Sequence, residues 1–349
     1  MPAVDISPEK PCSRPFRIVA IGGGTGLSTL LAGLSRHAGV ADGTIELTAI
    51  VTVTDDGQSS GRIRREFSVL PPGDIRNCLV ALAPEENEIT ALFRHRFPGE
   101  GPLGGHSLGN LLLLGLTQLE GDLFAAIETA RSLLGIGSRV LPSTLTPVDL
   151  VASVGGETIR GQIAIKSRRG PIRNLRIEPS DARAIPAAVE ALMSADLITL
   201  GPGSLFTSVI ANLLVSDLAA ALRRSAARKL YICNAMTEFD ETDGFSAEDH
   251  LRVLLSYVPG LSLDYALFNS SPISEEMRGR YARERAVALA PPAVIPVDLR
   301  GVSFLAMPLA SESLFVRHDP ERLCRAIVSL LTGHGSMDNE VGSGSEDSV

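Results

Sequence analysis

The side chains best suited to chemistry are concentrated in the segment 50–77. A β-branched run ends there in turn residues, and acids, hydroxyls, an amide and guanidinium groups follow within one short stretch. The residues concerned are Asp55, Asp56, Ser59, Ser60, Arg62, Asp74, Arg76 and Asn77. Carboxylates bind Mg²⁺, and hydroxyl and guanidinium donors bind phosphate. The segment therefore predicts a binding site for a phosphorylated ligand, with or without a divalent metal.

The adjacent acids Asp55 and Asp56 come directly after a predicted strand, 46–53. Together they can bind Mg²⁺ through one or two oxygens while a substrate phosphate supplies others. Either one could instead act as a general base. A β-turn acid, or an N-cap for a helix beginning near Ser59, is a simpler structural role, and the sequence leaves these alternatives open.

Asp74 ends a second turn, Pro71-Pro72-Gly73-Asp74. It is a plausible N-cap for the helix that follows. The functional alternative is that the first turn of this helix points Arg76 and Asn77 into the same crevice.

Two glycine-rich turns, Gly22-Gly23-Gly24-Thr25-Gly26 and Gly201-Pro202-Gly203-Ser204, join predicted strands (17–21 and 196–200) to predicted helices. Backbone N–H groups and the dipole at a helix N-terminus favour an anion, usually a phosphate. The first turn is not a P-loop, and Leu27 replaces the third glycine of a dinucleotide fingerprint, so a nicotinamide dehydrogenase is poorly supported. Two such sites suit a diphosphate or two phosphorylated ligands, although the first could be only a tight turn.

The segment 104–110, Gly-Gly-His-Ser-Leu-Gly-Asn, precedes a predicted leucine-rich helix. His106 can donate to a phosphate or transfer a proton. Ser107 and Asn110 offer further polar groups, although Ser107 could be only a helix cap. The chain has no G-x-S-x-G motif and no acid spaced for a Ser-His-Asp triad, so a hydrolase of that class is rejected.

Three residues further along the chain are candidates for recognising a base or sugar. Asn234 follows a predicted strand, 229–233, and could recognise the edge of either group. Tyr281 is one of four tyrosines, and Arg317 precedes the final predicted helix. A ring or a guanidinium can stack on a nucleobase, but surface packing is the simpler role for Tyr281 and Arg317.

Composition and charge exclude several classes of protein. A chain of 349 residues, 44% of them apolar, can bury a sizeable core as one large domain or two small ones. The net charge of −8 argues against nonspecific binding to nucleic acid or an anionic membrane, with a local basic patch left open. Four cysteines without a CxxC motif predict a reducing cytosol. The N-terminus lacks a signal-peptide core and the apolar run 111–114 is too short to span a membrane, so we expect a cytoplasmic protein.

Strands and helices alternate over residues 16–332, which predicts an α/β domain with a mostly parallel sheet and helices on both faces. Two strands, 148–154 and 158–166, are expected to form a β-hairpin insertion. Residues 1–15 are expected to be a flexible arm and 333–349 a disordered acidic tail. Ligands bind such sheets outside the carboxyl ends of the strands. The polar clusters that follow predicted strands are 22–28, 54–64, 201–204 and 234–243.

Taken together, the motifs resemble the YvcK family of bacteria, known as gluconeogenesis factors, within the CofD-like superfamily. In order over residues 17–331 they are GGGTGLS, VTVTDDGQSSGRIR, PPGDIRNCL, GHSLGNLLL, LPST, GPGSLFTS, CNAMT, ETDGF and VRHDP. The resemblance implies a Rossmann-like CofD-type fold. Transferase members of the superfamily attach 2-phospho-L-lactate to the deazaflavin Fo.

The resemblance also implies a cytoplasmic protein that binds a UDP-sugar, typically UDP-N-acetylglucosamine, and links carbon metabolism to cell-wall precursor supply and cell shape. By position, the turn 22–26 would face the phosphates of the nucleotide. Asp55 and Asp56 would lie where the transferase branch holds its metal. Tyr281 and Arg317 match positions that engage the nucleotide in this family.

The chain departs from the family pattern at two places. Gln58 stands where a glycine is common, and Glu238-Phe239-Asp240 replaces a more usual polar stretch that contains Pro-Gly.

Two functional hypotheses follow from the sequence. The first is a UDP-sugar-binding regulatory protein that acts through protein partners, with a homo-oligomer left open. The second is a transferase of the phospholactyl class, with Mg²⁺ on Asp55 and Asp56 and with His106 assisting. Neither hypothesis involves nucleic acid or membrane insertion.

Overall fold

The computed structural model describes residues 14–38, 45–84 and 86–332. The predicted tail and nearly all of the predicted N-terminal arm lie outside these ranges. Within them the chain forms one α/β arrangement with a three-stranded sheet, the small sheet, and a separate two-stranded sheet.

The strands are β1 (Phe16–Gly22), β2 (Ile45–Val51), β3 (Arg139–Pro142), β4 (Asp149–Val154), β5 (Glu157–Arg160), β6 (Ile172–Glu178), β7 (Leu197–Leu200), β8 (Arg228–Ile232), β9 (Tyr265–Asn269), β10 (Ser303–Met307), β11 (Ala310–Glu312) and β12 (Val316–His318). The α-helices are α1 (Gly24–Ala38), α2 (Gln58–Phe67), α3 (Gly73–Leu82), α4 (Glu88–Arg94), α5 (Leu108–Glu120), α6 (Leu123–Leu133), α7 (Gln162–Ser167), α8 (Pro186–Ser194), α9 (Ala211–Leu213), α10 (Ser216–Arg224), α11 (Ala247–Tyr257), α12 (Glu275–Ala282) and α13 (Pro320–Thr332). A π-helical turn covers Leu205–Ile210, and a 3₁₀ turn covers Val297–Leu299.

The main sheet has seven strands in the order β10-β9-β8-β7-β1-β2-β3. Every neighbouring pair is parallel, which confirms the predicted α/β class. Strands covered by helices on both faces are apolar throughout, and all four residues of β7 are buried. The leucines of α1 lie at helical spacing on one face, and Leu27, Leu30, Leu31 and Leu34 are fully buried.

The predicted β-hairpin insertion is confirmed only in part by the three-stranded small sheet. The antiparallel β4–β5 hairpin is confirmed, but a third strand, β6, pairs with the other edge of β4. The predicted second strand, 158–166, ends at Arg160, and its remainder forms α7. The chain turns at Gly161, where φ is +98°, and the Asp56 carboxylate accepts a hydrogen bond from the Ile163 N–H. This contact with a distant loop stabilises a helix start that the alternating pattern does not reveal.

Other differences lie where local signals are weak. The predicted helix after the second glycine-rich turn begins as a π-helical turn. The edge strand β3, which the sequence analysis missed, ends in Pro142, and a proline argues against a strand except at an edge. The opposite edge strand, β10, was also missed.

In the described ranges no single helix is long and apolar enough to cross a membrane. By length and composition alone, one pair, 205–213 with 216–224, meets that requirement jointly across a bend of 79°.

Candidate functional site

The topology of the sheet places a crevice between β1 and β7. The chain runs outward from β1 to β3, passes through the small sheet, and returns to the other side of β1 as β7. Ligands of open α/β sheets bind at such a reversal of strand order, beyond the carboxyl ends of the strands. The two glycine-rich turns meet there, since a methyl group on Gly26 would lie 2.5 Å from the Pro202 carbonyl oxygen.

A pocket of about 400 Å³ opens at this crevice. Ten residues that the sequence analysis singled out line it: Gly23, Gly24, Thr25, Gly26, Asp74, Gly203, Ser204, Asn234, Tyr281 and Arg317. The other lining residues include Gln162, Lys166, Thr237, Glu238, Phe315 and His318. The volume is that of a small-molecule site.

The start of α1 forms the floor of the pocket. A side chain at Gly23 would lie 2.7 Å from Thr52 Cγ2 and 2.8 Å from Asp74 Oδ2, and Gly24 has a φ of +62°. Both positions therefore require glycine. The backbone of this turn is exposed to the pocket at the positive end of the α1 dipole, which is the arrangement that binds phosphate in other proteins.

Asp74 reaches into this floor and does not cap its own helix. Helix α3 has Pro72 as its N-cap residue with no side-chain cap, so the structure decides against the capping alternative for Asp74. The Asp74 carboxylate accepts a hydrogen bond from the Gly24 backbone instead. Burial, and next the negative charge of Asp55, raise its pKa to about 7, while the Gly24 bond, Lys166 and Arg76 act in the opposite direction.

The adjacent acids turn in different directions. Asp55 Oδ1 accepts from the Gly57 N–H at 3.0 Å, and its charge acts on Asp74. Asp56 Oδ1 accepts from the Ile163 N–H at 2.9 Å, in the first turn of α7. The structure thus places Asp55 near Asp74, whereas Asp56 is hydrogen-bonded to the first turn of α7.

A divalent cation fits the chemistry of Asp55 and Asp74. Two neighbouring carboxylates, one with a raised pKa, lose mutual repulsion when a cation lies between them. Mg²⁺ is commonly held by one or two carboxylates together with substrate phosphates and water. Among the described residues no group of three or more His, Cys, Asp or Glu side chains is arranged to hold a metal, so further ligands would come from the substrate and solvent.

The second glycine-rich turn binds an anion that belongs to the chain itself. Glu241 is fully buried as a side chain, and its Oε1 accepts from the backbone N–H groups of Phe206 (2.8 Å) and Thr207 (3.1 Å). These amides begin the π-helical turn after the glycines. They are therefore not free for a phosphate, so of the two glycine-rich turns the α1 start is the one left for a ligand.

Lys166 and Glu238 complete this side of the pocket, and the sequence analysis missed the role of both. Lys166 Nζ lies 3.0 Å from Glu241 Oε2, 3.0 Å from Ser204 Oγ and 3.6 Å from Glu238 Oε2. Burial would lower the Lys166 pKa, but the ion pairs with Glu241 and Glu238 raise it overall. Burial and the nearby Glu241 raise the pKa of Glu238. No local signal identified Lys166, because its segment was predicted to be a strand.

Asn234 is held by this group of side chains. Its amide nitrogen donates to Glu238 Oε1 at 3.0 Å, and its Oδ1 accepts from the Gly203 N–H at 3.3 Å. Glu238 also accepts from Ser204 Oγ at 2.6 Å. The departure from the family pattern at Glu238 therefore places a carboxylate in the pocket wall.

The opposite wall is built by α12 and the β11–β12 hairpin. The Tyr281 hydroxyl accepts from the Val316 N–H at 3.0 Å, and the Arg317 guanidinium lies 5.3 Å from the centre of the Phe315 ring. His318 is buried, which lowers its pKa to about 4, although a hydrogen bond with the Cys233 backbone opposes the shift. The imidazole is therefore neutral, and its Nε2 has no hydrogen-bond partner.

The His106 segment forms a separate polar network that does not line the pocket. Ser59 Oγ lies 3.0 Å from His106 Nδ1 and accepts from Asn110 Nδ2 at 3.1 Å and from the Ser107 N–H at 3.4 Å. Ser59 thus has three hydrogen-bonding partners in this network. Burial, and next the charge of Arg62, lower the His106 pKa. The network joins α2 to the start of α5.

The remaining candidates bond to the protein near this network or at strand ends. Arg76 Nε donates to Asn110 Oδ1 at 3.3 Å, and Arg62 donates to the Gly104 carbonyl at 2.6 Å. Gly22 and Gly201 bond within the sheet. Ser60 packs against Gly73, where a methyl group would lie 2.1 Å from its Oγ. Asn77 is partly buried on α3 and lies outside the pocket lining.

Gln58 has a φ of +38° at the start of α2. A glycine adopts this backbone without strain, so the glycine expected from the resemblance would fit this position. The departure therefore concerns backbone conformation, and Gln58 itself is exposed.

Comparison with known proteins identifies the family. The CofD family model, described as 2-phospho-L-lactate transferase CofD, matches residues 18–303. The chain therefore belongs to the CofD family and, by the relatives that follow, to its gluconeogenesis factors.

Several relatives carry the name gluconeogenesis factor. That of Halalkalibacterium halodurans is 42% identical over 77% of this chain and 82% of its own length. That of Listeria monocytogenes is 39% identical over 90% of this chain and 95% of its own length. A crystal structure of a Bacillus halodurans protein, described as a member of the UPF0052 family, superimposes with a TM-score of 0.83 at 38% identity, covering 90% of this chain and 99% of that one.

Proposed function

We propose that the pocket between β1 and β7 binds a UDP-sugar, with UDP-N-acetylglucosamine as the first candidate. The protein would act in the cytoplasm as a regulator that links gluconeogenic carbon metabolism to cell-wall precursor supply and cell shape. The observation that carries this proposal is the combination in one pocket of the α1 start, which suits a diphosphate, with the Phe315–Arg317 wall, which suits a base.

The electrostatics of the pocket support a single diphosphate. Glu241 occupies the amides that follow the second glycine-rich turn, so the α1 start is left for the ligand. Asp74 opposes an anion there unless it is protonated or paired with a cation, and its raised pKa makes both changes easier. The names of the relatives support the link to gluconeogenesis. Regulation would then proceed through protein partners that recognise the liganded state, with self-association as one arrangement.

Calorimetric titration with UDP-N-acetylglucosamine, with and without Mg²⁺, tests the proposal. We expect micromolar binding, with the ligand recovered unchanged. Arg317→Ala should weaken binding about tenfold, the equivalent of ~1.4 kcal/mol. Tyr281→Phe, which removes only the hydroxyl that accepts from Val316, should weaken it less. Arg278→Ala, an exposed change on α12 that does not line the pocket, is the matched control. Absence of binding in the wild type would refute the proposal.

A second candidate function is a metal-dependent transferase of the 2-phospho-L-lactate transferase class. The specific observation in its favour is the Asp55–Asp74 pair beside the α1 start. These carboxylates would hold Mg²⁺, which would neutralise the transferred phosphate. His106 lies outside the pocket lining, so it is given no part in proton transfer here.

Turnover distinguishes the two candidates. A transferase would consume its nucleotide substrate with Mg²⁺, and Asp55→Asn or Asp74→Asn would abolish turnover while binding remained measurable. A regulator would show binding and no consumption. If both variants change only affinity, the transferase candidate is rejected.

A further inference from the structure

We propose that Phe315, flanked by Arg280 and Arg317, is a stacking platform for the planar base of an anionic nucleotide. The inference rests on the proposed function and deepens it, because it assigns the part of the pocket that holds the base. It also assigns a role to two residues, Phe315 and Arg280, that sequence analysis did not single out.

The Phe315 ring is presented to the pocket. Phe315 lies between β11 and β12, lines the pocket, and is 50% exposed. An apolar ring left in water at the mouth of a polar pocket is a surface that a planar ligand can cover favourably. Stacking on such a ring is tolerant of base identity, because every base has a π-face.

Two cations lie over this ring, one from Arg317 in the pocket lining and one from Arg280 outside that lining. The guanidinium of Arg317 lies 5.3 Å from its centre, and that of Arg280 lies 5.7 Å away. Within the described part of the chain, neither guanidinium forms an ion pair with a carboxylate, in contrast to Arg285 nearby, which pairs with Asp240 and Asp243. Unpaired guanidinium groups over an exposed ring favour an aromatic ligand that carries negative charge, because a base can stack on a guanidinium plane as well as on the ring.

The platform is held in place from two sides. Ser274, the N-cap of α12, donates through its backbone N–H to Glu312 Oε1 at 2.7 Å, at the end of β11. At the other end of α12, Tyr281 accepts from the Val316 N–H. These contacts join α12, which carries Arg280, to the hairpin that carries Phe315. A platform fixed before binding loses little conformational entropy when the ligand arrives.

The role of Tyr281 changes accordingly. Its ring packs against a small apolar cluster that includes Met236, Met277 and Val316, and its hydroxyl is engaged by the hairpin backbone. Tyr281 is therefore a positioning residue for the hairpin, and the ring available for stacking belongs to Phe315.

A tryptophan probe tests the platform directly. The chain contains no tryptophan, so Phe315→Trp introduces a single indole at the proposed site. Titration with UDP or GDP should quench its fluorescence, and titration with pyrophosphate, which lacks a base, should not. Leu314→Trp, at a neighbouring position that is 71% exposed and outside the pocket lining, should show no quenching with any of the three.

Affinity measurements provide a second, independent readout. Phe315→Ala should weaken UDP binding about tenfold, the size expected for one stacked base, and leave pyrophosphate binding within about twofold. Phe315→Tyr should restore UDP binding because it keeps the ring. Arg280→Gln should weaken UDP binding severalfold, and Arg278→Gln on the same helix should not.

The outcomes separate the platform from the proposed function. If UDP-N-acetylglucosamine binds and Phe315→Ala has no effect on it, the platform is refuted and the function stands. If UDP-N-acetylglucosamine does not bind but GDP quenches Phe315→Trp and loses affinity in Phe315→Ala, the platform is supported and the function is refuted. If no nucleotide binds, both are refuted.

Discussion

Asp74 is the residue at which stability and function oppose each other most directly. Its carboxylate lies against the α1 start, where a phosphate would bind, and beside Asp55. An acid with a purely structural role would be stabilised by a cationic partner. For Asp74, the largest effect on the pKa after burial comes instead from the neighbouring carboxylate of Asp55. Such perturbed acids in a cleft are typical of functional sites.

The first prediction concerns pH. The Asp74 pKa is about 7 in the folded protein and about 3.8 when unperturbed, so between these values the folded state holds a proton that the unfolded chain has released. The contribution of Asp74 to the free energy of unfolding is therefore complete below pH 3.8 and is lost as the pH rises through 7. We expect Asp74→Asn to raise the free energy of unfolding at pH 8 by about 1–2 kcal/mol, discounted for partial contact with solvent.

Urea unfolding at pH 5 and pH 8 measures this effect. Asp181→Asn, an exposed change away from the pocket, is the control and should be neutral at both values. A gain for Asp74→Asn that is no larger at pH 8 than at pH 5 would show that the charge of Asp74 does not destabilise the fold. The same variant should lose any Mg²⁺-dependent turnover.

At the scale of elements, Glu241 and Lys166 join parts of the chain that no local signal connects. Glu241 accepts the first free amides of the π-helical turn, and Lys166 from α7 pairs with it. Asp56 in turn bonds to the start of α7. The small sheet is thereby attached to both the loop after β2 and the loop after β7, and α7 forms one side of the pocket.

The second prediction is that Glu241 is a major source of stability. Glu241→Ala leaves Lys166 short of its main partner and two amides unsatisfied, so we expect a loss of about 3 kcal/mol in the free energy of unfolding. Glu241→Gln keeps an acceptor for the Phe206 N–H and should lose less. Equilibrium urea unfolding at pH 7 provides the measurement. Glu190→Ala, on the exposed face of α8, should change stability by less than about 0.5 kcal/mol, and an equally small effect of Glu241→Ala would contradict the prediction.

At the scale of the whole molecule, the two halves of the main sheet meet at β1 and β7. The turns that follow these strands are in contact, and the contact depends on Gly26 having no side chain, since Pro202 O would lie 2.5 Å from a methyl group there. The crevice exists because the chain leaves the sheet after β3 and re-enters beside β1.

The third prediction uses two glycines in helices. Gly26→Ala should lower the free energy of unfolding by about 2 kcal/mol, because backbone must move to admit the methyl group, and should also weaken ligand binding. Gly115→Ala in α5, where nothing lies within 4 Å of the added atom, should raise stability by up to about 1 kcal/mol through helix propensity. Thermal unfolding with and without ligand gives both quantities. Equal effects of the two variants would contradict this prediction. They would show that the close contact between the turns is not the reason for glycine at position 26.

Much of the fold could be predicted from the sequence because its signals are local. Buried parallel strands are apolar runs, and α1 has its leucines at helical spacing, so both were found. Strand β3 was missed because it is short and ends in Pro142, and α7 was missed because its residues alternate as a strand would. In both cases a contact with a distant segment outweighs the local preference: β3 pairs with β2, and the start of α7 bonds to Asp56.

The candidate site divides in the same way. Sequence alone determined the residue types near the α1 start. Glycines after one predicted strand and acids after the neighbouring strand indicate an anion or metal site from local sequence. It also determined the family resemblance, which the comparisons confirmed. Only the tertiary structure decided which groups face each other: Asp55 meets Asp74 instead of acting with Asp56, and Glu241 fills the second anion site. The reason is that side-chain direction and long-range pairing depend on contacts between residues far apart in the chain, and spacing along a sequence carries no information about them.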